Sequence, residues 1–218
     1  MYVFELSKIL KQLGHKVDVI SGPPYPELIP EIGLIKLPGL NLFSTFQFKE
    51  RLSLFFAKKN KSFDDWYEFT STLLGGFPEP QTFGNRAHNY MMDKNYDVVI
   101  DNQSISYGAL KIQDAFPLIE IMHHPISKDY FYDLKFAKGI LQRLSKIRWY
   151  SFLKMQKRAA KKINTVVTPS MNSKEDIHID FKVPIENIHV IPNGIDCEVF
   201  CPLPQIQSKK YRLITTAS

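Results

Sequence analysis

The sequence predicts an α/β fold: a Rossmann-like, mainly parallel sheet with helices on both faces. Three observations predict it. Short aliphatic and β-branched runs alternate with stretches of helical period along the chain. The N-terminal stretch reads helix, Gly-His turn, strand, which is the return connection of a doubly wound sheet. Residues 165–202 read strand, capped helix, short strand and exit loop, a further β-α-β unit.

Composition narrows the class. The chain has 218 residues and is 44% apolar, enough for one generous domain with a proper core. No run of about 18 uncharged apolar residues occurs, so no transmembrane helix is expected. The start lacks a signal peptide's basic region and small-residue cleavage site. Cys197 and Cys201 are the only cysteines. Two Cys and no organised His are too few for a zinc site, so no metal or other cofactor is expected, and a reduced cytosolic compartment is the simplest reading.

In chain order, residues 2–13 place Val3, Leu6, Ile9, Leu10 and Leu13 on one helical stripe, and Gly14 ends it as a C′ glycine. His15 reads as a turn residue rather than a ligand. A strand follows at 16–20. Residues 22–44 are a Pro- and Gly-rich loop with a brief strand at 33–37. Helices are expected at 46–59, 63–74 and 85–94, with Gly75-Gly76-Phe77-Pro78 between the last two. A buried strand at 97–101 leads to a helix at 107–115. The strand at 117–122 ends in His123-His124-Pro125.

From 134 to 174 the chain carries no acidic residue but many Lys and Arg. Ile140, Leu144, Ile147, Tyr150 and Leu153 make one apolar stripe there, flanked by Lys146, Arg148, Trp149, Lys154, Lys157 and Arg158. A basic amphipathic helix with an interfacial Trp suits an anionic membrane surface. The plainer reading is a helix that packs its stripe on the sheet and leaves its cations in water. Nucleic acid is not expected, because no recognised binding motif accompanies the charge. Beyond the strand at 166–167, Asn172 and Ser173 can cap a helix, with Glu175 and Asp176 three residues on. Ile188 to Ile191 is a second apolar run, and Pro192-Asn193-Gly194 is expected to turn sharply, since Asn and Gly tolerate positive φ.

Ligands of open α/β sheets bind at the C-terminal ends of the strands. His123 stands at such an end, where an imidazole can hydrogen-bond a phosphate or a hydroxyl. His124 is secondary, because neighbours on an extended chain point opposite ways. Asn102, Gln103 and Ser104 follow the 97–101 strand at the same edge and offer amide and hydroxyl partners for a hydroxyl-rich acceptor. They also read as a polar cap on the next helix, with Ser104 as N-cap. Ser170, Asn193 and Gly194 close the neighbouring loops, as turn and cap or as ligand contacts. No Walker loop, Gly-x-Ser-x-Gly, His-Glu-x-x-His or EF-hand pattern occurs.

Four pieces of the chain resemble the family 4 retaining glycosyltransferases of the two-domain GT-B fold. They are Leu6 to Val17 with its Gly14-His15, Val167-Thr168-Pro169-Ser170 before a helix, Ile188 to Asp196 with its Pro192-Asn193-Gly194, and Phe200 before Pro202. The strand ending in His123-His124-Pro125 is similar to a family element whose first His faces the interdomain cleft. The resemblance implies sugar transfer from a nucleotide-sugar donor to a hydroxyl of a glycan or lipid-linked acceptor, with retention and without metal. Residues 1–204 would form the acceptor-side domain, at the inner face of a membrane, and 205–218 a linker and the first strand (211–216) of a nucleotide-sugar-binding domain. The family's first strand and Gly-rich loop would precede Met1, and its paired acidic residues would follow Ser218, so the 218 residues alone are expected to show no transfer. Many members carry a His after the 97–101 strand, where this chain has Asn102-Gln103. Two alternatives stay open: a non-catalytic module docking on anionic membrane, and a nucleotide-sugar epimerase of the same architecture. A Gly-rich loop upstream and a Glu-x7-Glu pattern downstream would favour the transferase.

Overall fold

The computed structural model describes residues 2–45, 47–203 and 211–212. The expected 205–218 linker and strand lie almost wholly outside these residues. All strand pairing within them is parallel. A two-stranded sheet joins β1 (Asp18–Ser21) to β2 (Gly33–Lys36), and a four-stranded sheet runs β3 (Val99–Asn102), β4 (Leu118–Ile121), β5 (Val166–Thr168), β6 (Ile188–Val190). β1 and β3 each keep one edge without a strand partner among the described residues. The apolar cluster around Leu37, Ala87, Met91, Ala109, Ile112 and Leu118 nevertheless packs Ile20 and Ile35 of the first sheet with Val99 of the second.

Parallel strands need crossover connections, and helices supply them in the four-stranded sheet, while β1 and β2 are joined by the irregular segment 22–32. α1 (Tyr2–Gln12) ends in Gly14 at φ 92°, where the His15 N–H reaches the Leu10 carbonyl and the Gly14 N–H the Lys11 carbonyl. That double bond is a Schellman closure, which needs a residue tolerant of positive φ. α2 (Phe48–Ala57) and α3 (Phe63–Leu73) form a separate layer around Leu40, Leu42, Phe55 and Phe69. Ser62 opens α3 with a reciprocal capping box to Asp65, whose carboxyl is held below its usual range despite burial by the Lys58 ammonium and by bonds from Ser62.

α4 (Glu79–Met91) starts six residues earlier than expected at 85, because Pro80 sits in its first turn, where a missing N–H costs nothing. α5 (Tyr107–Ala115) matches the expected bounds and crosses α4 at two glycines, Gly84 and Gly108. The main core lies between β4, β5, α8 (Leu153–Ala160) and α9 (Met171–Phe181), around Met122, Ile163, Val166, Ile177 and Phe181.

Three local expectations are corrected. The cap of α9 is Ser170, whose Oγ accepts from the Ser173 N–H at 3.1 Å, not Asn172 or Ser173. Ser106, not Ser104, caps α5. Residues 191–196 leave β6 without a turn, and neither Asn193 nor Gly194 takes positive φ; the chain turns at 197–199, where Asp196 accepts from the N–H groups of Glu198 and Val199.

The basic stretch is not one helix. α6 (Ser127–Phe136) and α7 (Gly139–Trp149) are followed by a 3-10 turn at Tyr150–Phe152 and then α8. Tyr150 is partly buried and Leu153 buried, but α7 buries no residue, and Ile140 is 78% and Leu144 56% exposed. The plainer reading thus holds for Tyr150 and Leu153, which pack in the main core, and is overturned for α7, whose part of the stripe does not pack on the sheet.

Candidate functional site

The register of β3 on β4 builds the site. Asp101 lies opposite Glu120 and Asn102 opposite Ile121. Side chains alternate along a strand, so His123, two residues past Ile121, falls on the same face as Asn102. The two meet there: His123 Nε2 is 2.9 Å from Asn102 Oδ1. An amide oxygen only accepts, so Nε2 carries a proton and Nδ1 of a neutral ring keeps its lone pair. Nδ1 has no hydrogen-bond partner among the described residues. Burial, and then the neighbouring His124, lower the His123 pKa from its ordinary value of 6.5. The ring is therefore neutral near pH 7, a hydrogen-bond acceptor and base with one open nitrogen.

The backbone of the His-His turn is held from three sides. Its His123 N–H donates to Gln103 Oε1 at 3.2 Å, and Gln103 Nε2 donates to the His124 carbonyl at 3.4 Å. Ser173 Oγ, in the first turn of α9, donates to the His123 carbonyl at 3.2 Å. The Tyr2 ring meets the imidazole edge to face, with centroids 4.6 Å apart.

The turn after β3 is contorted. Gln103 and Ile105 sit at φ 65° and 44°, a left-handed region costly for residues with a side chain. Ser104 Oγ donates to Asp101 Oδ2, and the Ser104 carbonyl accepts from Gln156 Nε2 of α8 at 3.3 Å.

The expected site residues thus fall into two groups. Asn102, Gln103 and His123 form one hydrogen-bonded constellation, Ser170 adjoins it through Ser173, and Ser104 is bonded instead to Asp101 and Gln156. His124 turns outward to Asp129, with Nε2 3.3 Å from Oδ2. Asn193 and Gly194 are exposed. The proposed membrane-facing set also divides. Lys146 Nζ is 2.8 Å from Asp133 Oδ2, Arg148 donates to Ser71 and Ser151, and Trp149 stacks on Phe77 with Phe43 at its edge. Lys157 lies over the Phe181 ring. Lys154 and Arg158 are exposed on α8, and Arg158 lines an open cavity of about 320 Å³ with Tyr107, Leu110, Lys161 and Lys162.

Sequence reasoning missed the buried acids. Glu120 is fully buried on β4, visible in the sequence only as a Glu inside an apolar strand. Glu68 lies buried between Arg86 Nη1 at 2.7 Å, Thr82 Oγ1 and the Leu40 N–H. Among the described residues no group of three or more His, Cys, Asp or Glu could hold a metal ion, and no helix is long and apolar enough to cross a membrane.

Comparison with known proteins agrees with this architecture. The sequence profile of Glycosyltransferase Family 4 matches residues 1–199. A curated relative from Mycolicibacterium hassiacum, named MMP alpha-(1->4)-mannosyltransferase, is 39% identical over 206 residues. That alignment covers 93% of this chain and 49% of the relative, so the chain spans about half the length of the curated relative it matches.

Proposed function

Because the chain belongs to Glycosyltransferase Family 4, we propose that residues 1–204 form the acceptor-side domain of an enzyme that moves a sugar from a nucleotide-sugar donor to a hydroxyl, with retention. The observation that carries this reading is the neutral His123, its Nε2 committed to Asn102 and its Nδ1 open at the C-terminal ends of β3 and β4. An acceptor hydroxyl is a hydrogen-bond donor as well as a nucleophile. Nδ1 can take its hydrogen bond and orient its oxygen, while the Asn102 contact fixes the ring's tautomer. Gln103, Ser104 and Ser170 stand at the same edge as further polar contacts, and 191–196 lead away from β6 towards the linker. The relative's name specifies a mannosyl group, which makes a mannosyl nucleotide the first donor to try.

The test is made on the enzyme purified from the intact reading frame. Nucleoside diphosphate release is followed with hexosyl donors of different nucleotides and with hydroxyl acceptors, and the product's anomeric configuration is read by NMR. Acceptor-dependent release with an unchanged anomeric configuration supports the reading. Interconversion of donor sugars without acceptor would assign an epimerase instead.

A second reading concerns where the acceptor is held. Phe136, Ile140 and Leu141 are 70%, 78% and 84% exposed on α6 and α7. They lie in the acid-free stretch, and Lys154 and Arg158 on α8 and Lys161 at its C-cap follow at i, i+4 and i+7. Aliphatic insertion plus uncompensated cations favours an anionic lipid surface, each cation adding about 1 kcal/mol near it. The lipid-facing residues are then the α6–α7 apolar side chains and the α8 cations, and not Lys146, Arg148 or Trp149, which have protein partners. Vesicle flotation tests this: salt-sensitive binding to anionic but not neutral vesicles, lost in Ile140→Asp with Leu141→Asp, supports a lipid-linked or membrane-proximal acceptor. Absence of binding would point to a soluble one.

A further inference from the structure

Glu120 is fully buried, and neither carboxylate oxygen meets a hydrogen-bond donor in good geometry. An ionised carboxylate in such a place loses its hydration with little in return, a cost that the group avoids by holding its proton. A protonated carboxyl in turn needs an acceptor. The register puts Asp101 directly opposite on the adjacent parallel strand, with its side chain on the same face. Asp101 already accepts from Ser104 through Oδ2. We infer that Glu120 and Asp101 share one proton, and that the pair is a positioning element that ties β3 to β4 beneath the turn presenting Asn102 to His123.

Burial, reinforced by the charge of Asp101, raises the Glu120 pKa well above its ordinary value of 4.5, and the Gln103 N–H offsets this only in part. Asp101 is the charged group acting on Glu120. Its pairing partner on β5, Val166, is buried and apolar. The geometric consequence is local. Asp101 anchors Ser104, and Ser104 closes a turn that holds Gln103 and Ile105 at positive φ. Gln103 then grips the backbone of His123 and His124, and Asn102 meets the imidazole. Ionising Glu120 would set two carboxylates against each other at the base of this stack. Glu120 acts on His123 only through Asp101 and the turn. The value of that positioning to catalysis rests on the transferase reading, but the shared proton does not.

The test is NMR on the protein with 13C-carboxyl-labelled glutamate and with its imidazole resonances assigned. Two glutamates are expected to hold protons near pH 7, Glu79 in mid-titration and Glu120 as the full acid, and the fully acid resonance should be missing in Glu120→Gln. In Asp101→Asn it should ionise at least about one pH unit lower, since the opposing charge is gone. Glu120→Gln keeps a donor for Asp101 and should leave the His123 titration unchanged. Glu120→Leu removes that donor and should shift it by at least about half a unit. All glutamates ionised by pH 6 in the wild type, or an acid resonance at pH 6 that belongs to Glu79 alone and persists in Glu120→Gln, would overturn the shared proton, and the first outcome needs no variant to fold. An unaltered His123 titration in Glu120→Leu would overturn the positioning role. Neither measurement requires turnover, so failure here is distinct from failure of the transferase reading.

Discussion

Replacing Gly108 by Ala adds one methyl group where α5 lies against α4. An added Cβ at Gly108 would lie 2.2 Å from both the carbonyl carbon and the carbonyl oxygen of Gly84, and 2.6 Å from its Cα. These are backbone atoms in the middle of a helix and cannot rotate away. Comfortable carbon contacts begin near 3.5 Å, so the helices must part by roughly 1 Å. Parting them loosens Ala87, Met91, Ala109 and Ile112, which fill the cluster beside the crossing. Overpacking of this kind costs about 1–3 kcal/mol, and an unyielding neighbour puts it at the upper end. Ala returns about 0.5–1 kcal/mol of helix propensity. The net is about 2 kcal/mol of destabilisation, or about 4–8 °C in Tm for a domain of this size. Denaturant unfolding checks it, with a lower midpoint at unchanged slope. The crossing glycines also adjoin Ser106, the cap that starts α5 just after the site's turn, so the His123 resonances should move as well. A variant as stable as the wild type, or more stable through propensity alone, would refute the close crossing.

Further outcomes follow from the buried acids and caps. Glu68→Ala should destabilise by about 3–5 kcal/mol in denaturant unfolding, because it strands the Arg86 guanidinium and the Leu40 N–H in a buried place; a loss below about 1 kcal/mol would mean that water reaches them. Ser62→Ala breaks the capping box of α3 and should cost about 1 kcal/mol, read the same way. Burial first, and then the Glu68 charge, raise the Glu79 pKa from 4.5 to about 7, with Arg86 opposing. The native state thus holds this proton more tightly than the unfolded chain. Its stabilisation is complete below pH 4.5 and is lost as pH rises to about 7. Across that window the wild type should lose stability relative to Glu79→Gln, and a constant difference would contradict the shift.

The strands and the site's edge were legible in the sequence because their signals are local. The run 118–122 is apolar except for Glu120 and stops at two histidines, and Asp101-Asn102 ends a similar run. The contact of His123 with Asn102 was not legible, since it depends on register between strands about 20 residues apart. Nor was the role of Glu120. A Glu in an apolar strand signals something, but its partner is set by pairing alone. The start of α4 was hidden by Pro80, which reads as a breaker yet suits a first turn. The 140–153 stripe shows the limit of periodicity. It marks an amphipathic segment correctly, but what covers the apolar face is a tertiary matter, and α7 leaves its face exposed. The exit at 192–194 failed for a related reason: Asn and Gly permit positive φ without requiring it.

The most direct measurement compares sugar transfer by the intact-frame enzyme with that of its His123→Ala variant, each checked for an unchanged Tm. If His123 orients or deprotonates the acceptor hydroxyl, kcat/KM should fall at least about 100-fold. Turnover within about twofold of the wild type would contradict it and move the reaction away from the β3–β4 edge.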